Sequence, residues 1–152
     1  MSEPMFSIRL AETHDAAAIA EIYNEAILTT TATFDTEAKS ADNRLEWLNS
    51  HDAQHPVFVA EADGKVVGWG ALSSWSDRPA YNETAETSFY VAESFRGRGI
   101  GRALKRRLID EARRLGFHTL LARAAEGSLA SIHLNNSCGF RYIGTMKEVG
   151  FK

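Results

Sequence analysis

The fold is decided by the stretch Glu86-Thr-Ser-Phe-Tyr-Val-Ala-Glu-Ser-Phe-Arg-Gly-Arg-Gly-Ile-Gly-Arg-Ala-Leu104. Phe89, Tyr90 and Val91 are aromatic or β-branched and predict a strand. Glycines at 97, 99 and 101 then break the chain into a loop. From Ile100 onward, Ile100, Leu104, Leu108, Ala112 and Leu115 recur on one face of an amphipathic helix. A strand, a glycine-rich turn and a helix start make an anion site. The glycines reach left-handed conformations and turn several N–H groups onto one ligand. The helix start adds unpaired donors and a positive dipole end. Arg96, Arg98 and Arg102 add charge and forked donors suited to phosphate oxygens. The loop is expected to hold a pyrophosphate.

Spacing says which kind. A Walker loop needs Lys-Ser or Lys-Thr after its glycines, and none follows here. A Gly-x-Gly-x-x-Gly fingerprint read from Gly97 meets Arg102 at its third glycine position, and read from Gly99 it meets Leu104. Both fail. What stands is Arg96-Gly-Arg-Gly-Ile-Gly-Arg102 opening a helix.

At 152 residues the chain fits one domain, residues 1–152, with a sizeable core. A net charge of −3 argues against general binding to nucleic acid or to an anionic membrane. The basic residues instead concentrate between Arg96 and Arg114, which suits one local anion. No apolar run reaches transmembrane length, and the start lacks a charged-then-apolar signal pattern. The one cysteine, Cys138, cannot form an internal disulfide framework, which points to the cytoplasm. His14, His51, His55 and His118 lack metal-ligand spacing, so no metal is expected.

Phe6 to Ala11 alternates and predicts a first strand. Thr13 is read as the cap of a helix carrying Ala16, Ile19, Ala20, Tyr23, Ala26 and Ile27, which the β-branched run Thr29–Thr33 ends. Ser40 starts a second helix through Leu45 and Leu48, finished before Pro56. Two strands, from Pro56 and from Lys65, meet at the hairpin signal Asp63-Gly64. After the long helix and Gly116 come a strand from His118 to Arg123, a short helix from Ser128 to Ser137, and a last strand Arg141–Met146. That order predicts an α/β (α+β) architecture with helices covering a mixed sheet.

The glycine loop resembles the coenzyme A loop of the GNAT N-acetyltransferases, (Gln/Arg)-x-x-Gly-x-(Gly/Ala). The whole chain is similar to the phosphinothricin and methionine sulfoximine acetyltransferase group within them. The shared segments are Ile22–Ile27, Thr33-Phe34, Gly68-Trp-Gly70, Thr84–Val91, the loop, Ala130–Leu134, Cys138-Gly-Phe140 and Glu148–Lys152. The resemblance implies a mostly antiparallel central sheet, acetyl-CoA as donor, a small amino acid or analogue as acceptor, and a homodimer. It also implies roles. Phe89, Tyr90 and Val91 would pair with pantetheine through their backbone, as another strand would. Arg96, Gly97, Arg98, Gly99, Ile100, Gly101 and Arg102 would hold the pyrophosphate. Ser128 and Ser137 would touch the cofactor, and Phe34, Pro79, Ala80 and Tyr81 the acceptor. Glu86 would be the general base, and a backbone N–H of the Phe89–Val91 strand would serve the oxyanion.

The chain departs from the family at several positions. Ser128 replaces a usual Asn, and Ala125 a usual Glu. Asn135 stands where His or Tyr could protonate the leaving thiolate, and the neighbouring His133 points elsewhere on the helix. Asn82-Glu83 replaces Arg-His, trading cations for an acid. Relatives continue past Lys152 through another strand. Two other readings therefore stand beside amino-acid acetylation. One is a GNAT enzyme for a peptide N-terminus or a polyamine, and the other a coenzyme A-binding module with little turnover.

Overall fold

A computed structural model describes residues 5–152. Its frame is a five-stranded sheet in the order β1-β2-β3-β4-β5, comprising β1 (Ser7–Leu10), β2 (Val57–Ala62), β3 (Lys65–Ser74), β4 (Thr84–Val91) and β5 (Thr119–Leu121). Pairing is antiparallel from β1 to β4, and only β4–β5 is parallel. The helices are α1 (Ala16–Thr29), α2 (Ala41–Asn49), α3 (Ile100–Leu115) and α4 (Leu129–Ser137).

Strand alternation sorts the core into two layers. On one face Val57, Val59, Trp69 and Ala71 pack with Ile19, Ile22, Tyr23 and Ile27 of α1. On the other, Phe58, Ala60, Val67 and Ala85 pack with Ile100, Leu104, Leu108 and Ala112 of α3. The helical spacing seen in the sequence is thus the buried stripe of α3. Glycines in β3 let that helix sit close. A Cβ on Gly68 would come within 3.3 Å of both Ile100 and Leu104 side chains.

Local signals explain the element ends. Ser40 Oγ accepts from the Asn43 N–H at 3.0 Å and caps α2. Asp63 and Gly64 take φ of 54° and 73°, the left-handed pair a two-residue hairpin requires. Gly116, at φ 87°, ends α3.

The structure corrects four expectations. Thr13 is not a helix cap: Thr13–Asp15 forms a single 3-10 turn and α1 starts at Ala16. The turn is held by Asp15, whose carboxylate accepts the Glu12 N–H at 2.7 Å and binds the Arg9 guanidinium at 2.8 and 3.0 Å. β1 and β5 are shorter than their apolar runs. Finally, Arg141–Met146 is not a strand. Among the described residues it has no neighbour to complete a ladder, and a strand without pairing has no stability of its own. The segment is instead exposed irregular chain whose end meets the loop after α1, where Lys152 Nζ donates to Thr33 O at 2.8 Å and Gly150 lies against the Phe34 ring.

Candidate active site

The site begins where two strands part. The β4–β5 register runs Thr84↔Thr119, Ala85↔Leu120 and Glu86↔Leu121, then stops, while β4 continues to Val91. Past Glu86 one edge of β4 is therefore open. Ala92 N–H donates to Val67 O at 2.9 Å, so by antiparallel alternation Tyr90, Ser88 and Glu86 turn their backbone groups to β3. Phe89 and Val91 turn theirs to the open edge. Of the three strand residues expected to pair with pantetheine, two present backbone groups there; Tyr90 is committed to Trp69.

The open edge leads to the glycine loop. Gly97 and Gly99 have φ of 76° and 84°, and Gly99 caps α3. An L side chain at either would be strained. Arg96 Nε donates to Val91 O at 3.3 Å, tying the loop to the strand. The Glu93 N–H donates to Glu25 Oε1 at 2.6 Å, tying it to α1. Arg98 lies 4.9 Å over the Phe95 ring. Among the described residues neither Arg98 nor Arg102 is in an ion pair. Gly101 has a different task. A Cβ there would come 3.0 Å from the Phe89 ring and 3.9 Å from Leu134 of α4, so its absence lets strand, α3 and α4 converge.

The donor set fits a pyrophosphate followed by an amide-bearing chain. Free N–H groups at the first turn of α3, two left-handed glycines and unpaired guanidinium groups suit the anion. An open strand edge suits the amides. Ser128 caps α4 without a side-chain bond, so its hydroxyl is available. Ser137 Oγ is turned inward on its own helix, donating to Leu134 O at 2.9 Å.

On the opposite face of β4 stands Glu86. Its carboxylate is held by Arg123, with Nε on one oxygen at 2.5 Å and Nη2 on the other at 2.8 Å. The hydrogen bonds to Glu86 raise the already high pKa of Arg123, whose guanidinium also lies 5.5 Å over the Trp75 ring. Sequence reasoning missed Arg123, which stands two residues beyond β5. Its only signal was a charge closing an apolar strand.

The residues expected to meet the acceptor lie in two loops, before β4 and after α1. Pro79, Ala80 and Tyr81 form one exposed 3-10 turn, and Phe34 is half exposed in the loop after α1. That loop is anchored from the core. The Tyr23 hydroxyl bonds Thr33 Oγ1 at 2.9 Å and also donates to Asp35. Its ring packs edge-on against Trp69 and Tyr90. Burial and the Asp35 contact push the Tyr23 phenol well above its usual range. Arg44, buried on α2, lies 5.1 Å over Tyr23 and 4.9 Å over Trp47.

Neither residue of α4 weighed for thiolate protonation offers a buried titrating group. His133 is exposed, and Asn135 cannot titrate. Lys105, which the sequence reading passed over, is 1% exposed and projects beneath Thr87 at the point where β4 and β5 part. Among the described residues no group of three or more His, Cys, Asp or Glu could hold a metal, and no helix is long and apolar enough to cross a membrane.

The chain is similar to known proteins. The acetyltransferase (GNAT) family is matched over residues 19–140. The L-amino acid N-acyltransferase MnaT of Escherichia coli is 42% identical over 147 residues, covering 96% of this chain and 86% of that one. The L-methionine sulfoximine/L-methionine sulfone acetyltransferase of Salmonella typhimurium is 41% identical with the same coverage. Among solved structures, the acetyltransferase yncA of Salmonella typhimurium with acetyl-CoA superposes with a TM-score of 0.93 at 40% identity, over 97% of this chain and 86% of that chain.

Proposed function

Because the chain belongs to the acetyltransferase (GNAT) family, we propose that it transfers the acetyl group of acetyl-CoA to the α-amine of a small amino acid or analogue of the methionine sulfoximine type. One observation carries the reading: the open edge of β4 runs from the glycine loop to the Glu86↔Leu121 register, joining an anion site to a carboxylate. The pyrophosphate lies on residues Arg96–Arg102. Pantetheine amides pair with Phe89 and Val91. Ser128 supplies a further hydroxyl, and Ser137 does so only on release from Leu134 O.

Acetyl-CoA brings an activated thioester; the chain's own residues do the rest. Holding the two reactants together replaces a bimolecular encounter, worth up to about 10 kcal/mol in favourable cases. Glu86, through water or directly, takes the proton that the acceptor ammonium must lose before its nitrogen can attack. Arg123 fixes the direction in which the carboxylate points. Phe34 and the Pro79–Tyr81 turn form the acceptor walls, and Tyr23 holds the Phe34 loop in place. The carboxylates of Glu83 and Glu86 favour an acceptor that arrives as a cation. The same reading carries two further expectations, a cytoplasmic location and a homodimer, the second measured by sedimentation.

The test is thiol release from acetyl-CoA against methionine sulfoximine, methionine sulfone, phosphinothricin, ordinary amino acids, a polyamine and a short peptide. Selective turnover of an amino-acid analogue supports the reading. Turnover of the peptide or polyamine alone replaces it, and binding of acetyl-CoA with no acceptor modified overturns it.

A further inference from the structure

Lys105 occupies a position where a charge is costly. It lies on α3 four residues beyond Gly101 and three before Leu108, on the face that packs against the sheet, and is 1% exposed. Its Nζ is 2.5 Å from Thr87 Oγ1 and 3.8 Å from the centre of the Phe140 ring. Among the described residues no carboxylate pairs with it. An ammonium group removed from water without a counter-ion is strongly disfavoured unless something anionic visits it.

The position says what visits. Thr87 Oγ1 lies 3.5 Å from Leu121 O, at the last point where β4 and β5 touch. Backbone positions Val91, Phe89 and Thr87 lead there from the glycine loop, about 13 Å of extended strand. A chain laid along that edge from a pyrophosphate in the loop brings its far end to Lys105. We propose that the Lys105 ammonium is the proton donor to the coenzyme A sulfur as the acetyl group leaves. The inference rests on the coenzyme placement given under Proposed function.

The step balances. The acceptor nitrogen forms its bond to the acetyl carbon, and the carbon–sulfur bond breaks with its electron pair going to sulfur. Sulfur then takes a proton from Lys105 Nζ, and the neutral amine is recharged from solvent. The proton lost by the acceptor goes to Glu86 or to water. Burial pulls the ammonium down to about 8, and Cys138 acts in the opposite sense. That is close to the ordinary thiol range of about 8.5, where a donor and a leaving thiolate are well matched. β4 presents Thr87 to Lys105, the turn after α4 presents Phe140 and Cys138, and β5 reaches it only through the Leu121 carbonyl on Thr87. Cys138 is the one titratable group whose charge acts on it.

The decisive measurement needs no turnover. Coenzyme A is titrated with pH on the protein, following thiolate absorbance in the ultraviolet, beside free coenzyme A. The bound thiol is expected to ionise about one pH unit or more below the free thiol. In Lys105→Met this shift disappears, kcat falls about 10²-fold, and the coenzyme dissociation constant changes little. Lys105→Arg keeps the shift but loses turnover, because a guanidinium gives up no proton at neutral pH. Binding with an unshifted thiol in the unmodified protein overturns the proposal alone, whatever the variants do. Failure of the unmodified protein to bind coenzyme A removes the placement on which the proposal rests, and the proposal falls with it.

Discussion

Arg123 grips both carboxylate oxygens of Glu86 across the point where β4 and β5 separate. A paired carboxylate has a set direction and one lone-pair face left for a substrate or a water. Glu86→Gln is expected to lower kcat/KM about 10²-fold or more, with the coenzyme dissociation constant unchanged within about twofold. Stability should change by less than about 1 kcal/mol, because Arg123 is largely exposed and solvent screens the pair. Isothermal titration with coenzyme A, steady-state kinetics and thermal melts separate the three quantities. A parallel loss of coenzyme binding would remove Glu86 from the reaction and make it a structural residue.

Gly99→Ala should weaken coenzyme binding about tenfold and lower stability by about 1–2 kcal/mol. The residue caps α3 at φ 84°, where an L side chain is strained, and it lies within the loop proposed to hold the pyrophosphate. Ala at Gly64, also left-handed but remote from the site, controls for strain alone: it should lower the melting temperature and leave binding intact.

Tyr23→Phe removes the hydroxyl that bonds Thr33 and Asp35 beneath the Phe34 loop. The acceptor KM should rise several-fold while the coenzyme dissociation constant stays constant, at a stability cost of about 1–2 kcal/mol. A changed coenzyme constant with an unchanged acceptor KM would contradict the placing of the loop on the acceptor side.

Lys105 also makes a prediction for stability. Its folded pKa of about 8 lies below the ordinary lysine value of about 10.4. Between those values the unfolded chain holds the extra proton, so stability should rise with pH across that window. Below about pH 8 both states are charged, and the burial penalty is felt in full. Lys105→Met should flatten this rise and gain about 1–3 kcal/mol at neutral pH. Urea unfolding at a series of pH values reads both.

Asp15 behaves oppositely. Burial pushes its carboxyl up, but the Arg9 hydrogen bonds, the Glu12 N–H and the nearby charges outweigh it, and the net shift is downward. The contribution is therefore present above the unfolded value near 4 and lost as pH falls through the lower folded value. Asp15→Asn should cost about 1–3 kcal/mol at pH 7. The difference from the unmodified protein should shrink in acid.

Much of this molecule was legible because the signals are local. The left-handed hairpin at Asp63-Gly64, the Ser40 cap, the α3 stripe and the glycine loop each depend on residues within one turn of one another. Local sterics and helical period act on any chain that carries them, so their reading needs no knowledge of the rest. The family resemblance added Glu86 and the acceptor residues by position, not by physics.

Tertiary structure decided what depends on distant partners. Among the described residues Arg141–Met146 has strand composition but no ladder to join, so it remains exposed irregular chain. Arg123 reaches Glu86 only because β5 runs parallel to β4 and ends there. Lys105 reads as one more surface charge until α3 docks, after which burial lowers its pKa and Thr87 and Phe140 are its nearest company. A side chain's charge is written in the sequence. The dielectric around it and the groups it meets are properties of the packed fold.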